Sequence, residues 1–242
     1  MNYFDVMNDT KARLRSLDTD SFVSFVDQMK RVPQFSLMNT ALIAQYALGA
    51  TEVGTETALK ARGVSVEQMN TSITIIKPAG NGRGFALHEV YAATTARESR
   101  QASVALFNVL RSGCNLPVGK ITSRPHATNG EALWVNPDQD AYNACLSLLT
   151  AWAHADLHFG DNLDWAKENA DIARFEARTA AYVVLGAFGV ETPDGAEEFT
   201  ALGLNGGDLY DSVTAIKSAV STLWKGVQDA VRTGRAPALD AA

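Results

Sequence analysis

The segment "SITIIKPAGNGRGFALHEVYAAT", residues 72–94, constrains the chain more than any other. Residues 72–78 and 85–94 are dominated by β-branched and aromatic side chains. The glycine-rich "AGNGRG" between them is a turn signal, so a hairpin of two antiparallel strands is predicted. The turn leads into a strand rather than a helix and so lacks the context of a phosphate or dinucleotide loop. Along the second strand Phe85, Leu87, Glu89 and Tyr91 alternate with Ala86, His88 and Val90, which makes His88 a polar residue on one strand face.

Most of what surrounds the hairpin reads as helix. Residues 8–31 carry helical periodicity at Leu14, Leu17, Phe22, Phe25, Val26 and Met29. Pro33 separates them from a second helix over 35–48, with Ser36 as its cap. A short helix over 57–62 is stopped by Gly63, and the helix in "ESRQASVALFNVLRSG" by Gly113. Short strands are expected at 120–123 and 132–135, around "TNGE". Pro137 and Asp138, the latter as cap, open a long helix through about residue 159; further helices span 164–188 and 208–232. The expected class is α+β: N-terminal helices on a small antiparallel sheet over residues 1–97, then a mostly helical part with small strands over 98–242.

Charge is unevenly spread. Residues 1–97 hold ten Lys/Arg against nine Asp/Glu, and residues 98–242 hold eleven against eighteen. A sequence-independent grip on nucleic acid is therefore not expected in the second part. No apolar run reaches the ~18 residues of a membrane span, and the polar start carries no apolar leader. A cytoplasmic protein with no membrane partner is expected, with Cys114 and Cys145 unpaired.

The run "LLTAWAHADLHFG", residues 148–160, places His154 and His158 four apart on one helical face, the spacing of a helical zinc site. The glutamate that would follow the first histidine is replaced by Ala155. Asp156 sits about 200° around the helix from His154 and cannot stand in for it. In a second register, Thr150-Ala151-Trp152-Ala153-His154 has the length of H-E-x-x-H, with Thr150 at the first histidine and Ala151 at the catalytic glutamate.

In that register "LLTAWAHADLH", followed by "FEARTAAYVVLGAFG", resembles a helical metallopeptidase-like domain that carries L-x-H-E-L-A-H-x-x-L-H and then E-x-E-A-E-S-x-A-Y-x-V. The positions that match are Leu148, Ala153, His154, Leu157, His158, Glu176, Ala177, Ala181, Tyr182, Val184 and Gly189. "FSLMNTALIAQYALGATEV" and "RGVSVEQMNTSITIIKP" resemble the partner domain of ArdC-type antirestriction and related phage or plasmid proteins, without its tryptophan and its K-G-E-K-G stretch. Together the two matches cover roughly residues 20–190.

The resemblance implies a zincin-like fold for residues 98–242, a function and sites. Zinc, if kept, falls to His154 and Glu176, with His158 as a further ligand; Thr150 and Ala151 depart from the active pattern, so hydrolysis is not expected. Single-stranded DNA binding is implied for the N-terminal part. There Ser36 and Asn39 either contact nucleotides or brace a helix. Lys60, Arg62, Lys77 and Arg83, around the hairpin, form either a phosphate-binding edge or a solvated face. Three readings follow: a non-catalytic antirestriction-like protein that binds single-stranded DNA or blocks a host DNA-targeting defence; an interaction protein on a pseudo-peptidase scaffold with a host or phage protein as partner; and a zinc metallopeptidase with altered ligands.

Overall fold

The computed structural model describes residues 2–69, 71–79, 84–96 and 98–237. The fold is α+β. Helices α1 (Tyr3–Leu14), α2 (Thr19–Arg31) and α3 (Leu37–Tyr46) come first. The periodicity over 8–31 is thus two helices. The break has a local cause: the Asp18 carboxylate accepts from the Ser21 amide at 2.9 Å, and the Ser21 hydroxyl accepts from the Asp18 amide at 2.9 Å, so a capping box starts α2 afresh. Ser36 caps α3, as expected.

Strand β1 (Glu52–Gly54) and helix α4 (Glu56–Ala61) lead to β2 (Thr71–Pro78) and β3 (Phe85–Ala93). The order is β1-β3-β2, antiparallel throughout, with Ile73 opposite Val90 and Ile75 opposite His88. The hairpin expected from the sequence is present; its turn, residues 80–83, lies outside the described residues and includes Arg83. Val53, Ile73, Ile75, Val90 and Ala92 turn one sheet face onto Val32 and Ile43 to make a small core.

Helix α5 (Val104–Gly113) is followed by a second sheet of β4 (Val118–Lys120), β5 (His126–Thr128) and β6 (Leu133–Val135), in the order β4-β6-β5. β4 runs parallel to β6, and β5 antiparallel to it. Helices α6 (Ala141–His158), α7 (Leu163–Glu168), α8 (Ala170–Ala187), α9 (Ala196–Leu202) and α10 (Gly206–Arg232) complete the chain. The cap of α6 is Asp140 rather than Asp138: its carboxylate accepts from the Asn143 amide at 2.8 Å. The helix read over 164–188 is interrupted at Asn169, where α7 ends and α8 begins.

The larger core is built by α6, α8 and α10, with α2 and α5 packed into it. Phe22 of α2 stacks on Phe199 with ring centroids 4.2 Å apart and leans on Phe175 at 5.7 Å. The apolar core therefore does not divide at residue 97. Where α5 meets α10, a Cβ on Gly113 would lie 2.7 Å from the Val227 Cα, so only glycine permits this approach. Among the described residues no helix is long and apolar enough to cross a membrane.

Candidate functional site

Asn143, Ser147, Thr150, His154 and His158 recur along α6 at intervals of three and four, which sets them on one helical face. The opposite face, with Cys145, Leu148, Leu149 and Trp152, is buried in the larger core. The polar stripe lines a cleft of about 1150 Å³. The second sheet forms one wall, through Lys120, His126, Thr128 and Trp134; α7 and α8 form the other, through Lys167, Arg174 and Arg178.

His154, His158 and Glu176 do come together. The His154 and His158 rings are 5.0 Å apart, and His158 Nε2 is 3.4 Å from Glu176 Oε2. Their arrangement does not fit zinc. Among the described residues no group of three or more His, Cys, Asp or Glu side chains is placed to share one metal ion. Glu176, 3 % exposed, turns its other oxygen to the Ser212 hydroxyl, which donates to it at 2.6 Å. Thr150 holds the place of a ligand, and Ala151, fully buried, holds the place of the general base. Asp156 lies on the far side of α6, beside Thr222 of α10. Neither a water-activating base nor a closed ligand set is present among these residues.

The electrostatics of the pair follow from burial. Burial pushes the Glu176 carboxyl up to about 7, against the hydrogen bond from Ser212. Burial, and then the neighbouring His154, push His158 down to about 4. Near neutral pH the contact therefore joins an uncharged imidazole to a carboxyl poised between its protonated and ionised forms. Neither ring nitrogen of His158 makes a hydrogen bond, although the side chain is 2 % exposed.

The cleft as a whole carries one sign of charge. Five of the eleven cations of residues 98–242 line it (Lys120, Arg124, Lys167, Arg174 and Arg178), together with three of the four histidines and none of the eighteen carboxylates. Three of the cations have a carboxylate partner outside the lining: Lys167 with Asp164 at 3.0 Å, Arg174 with Asp171 at 3.3 Å, and Arg178 with Glu198 at 3.7 Å. These pairs are solvent-exposed and weak. No carboxylate pairs with Lys120 or Arg124 among the described residues. His126 is held below the usual histidine range by burial, then by His154, Arg178 and Arg124. The second part is acidic overall, yet five of its eleven cations line this one concave surface.

The N-terminal candidates stand differently. Ser36 is spent on the α3 cap. Asn39 donates to the Ile76 carbonyl and accepts from the Ile76 amide, both at 2.8 Å, which closes the free edge of β2. Lys60 pairs with Glu56, and Arg62 pairs with Glu52 while also donating to the Val53 carbonyl. Lys77 makes no ion pair among the described residues, and Arg83 lies outside them. Among the described residues, Ser36, Asn39, Lys60, Arg62 and Lys77 do not line a common cleft.

Sequence reading missed Lys120, Arg124, His126, Arg174 and Arg178. A signal existed for the α8 pair: Arg174 and Arg178 are four apart, on the side of the helix away from Ala173, Ala180 and Val184. None existed for Arg124 and His126, which reach the cleft through the three-residue strand β5 and the loop before it.

No family model matches the chain, and no curated protein matches it. Solved structures similar to it include the antirestriction protein ArdC of plasmid R388 in two forms. The metal-free form aligns over 81 % of this chain and 86 % of its own, at 11 % identity and a TM-score of 0.45. The Mn(II)-bound form aligns over 90 % and 97 %, at 8 % identity and 0.47. Both bear the family name that the sequence motifs suggested. At such identities and TM-scores a likeness says nothing of shared chemistry, and function has to be read from this chain's own residues.

Proposed function

We propose that the protein is a non-catalytic, antirestriction-like binder of single-stranded DNA, and that the cleft beside α6 is its grip. One observation carries the reading. In the cleft flanked by Thr150 and His154, where the motif resemblance would put a hydrolytic centre, the lining is cationic and imidazole-bearing and holds no carboxylate. Loss of a general base alone costs about 10²–10⁴ in rate. A cationic concavity whose lining holds no carboxylate, and whose outer ion pairs are exposed and weak, suits a phosphate backbone, whose binding rests on Lys/Arg contacts and counterion release. Trp134 and Phe159 in the same lining offer faces on which bases stack. Occupying a strand that a host nuclease must reach accounts for an antirestriction role.

The test is a fluorescence-anisotropy titration with a labelled single strand at about 50 mM and about 200 mM salt. The expected result is binding that weakens steeply with salt and is lost in a Lys120→Glu/Arg124→Glu variant that melts at the wild-type temperature. Salt-independent binding, or no binding, overturns the proposal. Metal analysis of the same preparation completes the test: stoichiometric zinc released by His154→Ala, with chelator-sensitive proteolysis, replaces this reading with the metallopeptidase one.

A further inference from the structure

We infer that the inner wall of the cleft is a phosphomonoester site, which takes the terminal phosphate of a nucleotide or of a 5′-phosphorylated strand end. This deepens the reading above and rests on the same cleft, but it makes a separate claim: an end is recognised, not only a backbone.

Two independent observations point to it. The first is an orphaned nitrogen: His126 Nδ1 is buried without a hydrogen-bond partner. Its side chain lines the cleft. A neutral imidazole always carries one N–H that needs an acceptor, and buried polar groups left unpaired are rare in folded proteins. A phosphate oxygen reaching the cleft floor supplies that acceptor.

The second is the excess of positive charge. A phosphodiester brings one negative charge per residue of strand, whereas a phosphomonoester brings about −1.5 to −2 at neutral pH, concentrated on three oxygens. Lys120 and Arg124 stand on the sheet side without carboxylate partners, and Arg174 and Arg178 face them from α8. Arginine presents the planar fork that matches phosphate oxygens in pairs. His126 is held low first by burial and then by His154, Arg178 and Arg124, so two of these arginines act at the imidazole. Thr150, in the same lining, adds a hydroxyl that bonds an anion without bringing charge.

The experiment compares a short 3′-labelled single strand with and without a 5′-phosphate, and adds thymidine 5′-monophosphate as competitor, on the full chain. The 5′-phosphorylated strand is expected to bind about tenfold tighter, an increment of ~1.4 kcal/mol, or the mononucleotide to displace the strand. Either effect is expected to vanish in Lys120→Ala/Arg124→Ala, both exposed positions, and to survive in the remote control Lys225→Ala. Preference for the phosphorylated strand identifies a strand end as the ligand; competition by the mononucleotide identifies a free nucleotide. Equal affinity for both strands together with no competition overturns the inference, even where the unphosphorylated strand binds and the reading above stands. Mononucleotide binding that survives Lys120→Ala/Arg124→Ala also overturns it, because the phosphate then sits elsewhere.

Discussion

Asn39 at the edge of the N-terminal sheet and His158 at the floor of the cleft are both buried polar side chains on helices, and they stand in opposite conditions. The Asn39 amide is satisfied at both ends by one backbone unit, Ile76. His158 is as deeply buried, and neither of its nitrogens is bonded. The first arrangement holds the fold together and leaves nothing over for a ligand. The second leaves the ring loosely held at the cleft floor, with Nε2 3.4 Å from Glu176 Oε2. The same contrast separates Lys60 and Arg62, tied into ion pairs beside the sheet, from Lys120 and Arg124, which have none. Residue type alone does not distinguish a binding residue from a structural one; the account of what each polar group already bonds does.

The largest test of this contrast removes the N-terminal part altogether. If residues 1–97 are support for the cleft, a 98–242 fragment has no stable fold. It loses Phe22, Phe25, Val26 and Met29, all within the larger core, each worth on the order of 2 kcal/mol of apolar burial. The expected outcome is a chain without a cooperative thermal transition. A fragment that melts cooperatively and binds the strand would mean that the first 97 residues are a separate module.

Next in size is Asn39→Ala. It leaves both Ile76 backbone groups unpaired at the edge of β2, a loss of about 2–3 kcal/mol, read as a lower denaturant midpoint. Strand affinity at a temperature where the variant is folded should not move. A loss of affinity larger than the loss of stability would return Asn39 to the binding surface.

How far the sequence foretold this molecule follows the same line. The hairpin, the α3 cap and the long final helix were readable because local signals decide them: β-branched runs, a serine at the right position, a sustained 3.6-residue period. The break between α1 and α2 and the interruption at Asn169 were not, since periodicity runs on across a short interruption. The pairing of His154 with His158 was visible from their spacing, and that of His158 with Glu176 only from a motif resemblance. The character of the cleft was invisible. Its cations come from β4, from the loop before β5, and from α7 and α8, and a net charge summed along the chain cancels what folding segregates.

A test of intermediate size concerns the His158–Glu176 pair. Burial raises Glu176 from the ordinary 4.5 to about 7, so the folded protein keeps a proton that the unfolded chain gives up, and stability falls as pH rises between those values. His158 acts in the opposite sense. Held at about 4 against the ordinary 6.5, it stays neutral where the unfolded chain is protonated, and stability rises with pH across that window. The two slopes offset each other from 4.5 to 6.5. Glu176→Gln keeps an acceptor for Ser212 and removes only the falling slope. Its melting temperature should therefore climb from pH 4 to 6.5 where the wild type stays nearly flat, and at pH 8 it should gain about 3 kcal/mol. A variant that is less stable than wild type at pH 8 would show that the carboxylate is ionised and paired in the fold.

The smallest expected effect cuts most directly between the two regions. Lys60 is half-exposed and paired with Glu56 one helical turn away, a contact worth roughly 0.3–0.5 kcal/mol. Lys60→Ala should lower stability by no more than that and leave strand affinity within error at every salt concentration. Lys120→Ala, also exposed but unpaired and set in the cleft, should leave stability unchanged while reducing the slope of log affinity against log salt by about 0.7, the contribution of one phosphate contact on a single strand. Should Lys60→Ala shift the salt slope as much as Lys120→Ala, the grip extends to the edge of the N-terminal sheet, and ion-paired lysines cannot be set aside as structural.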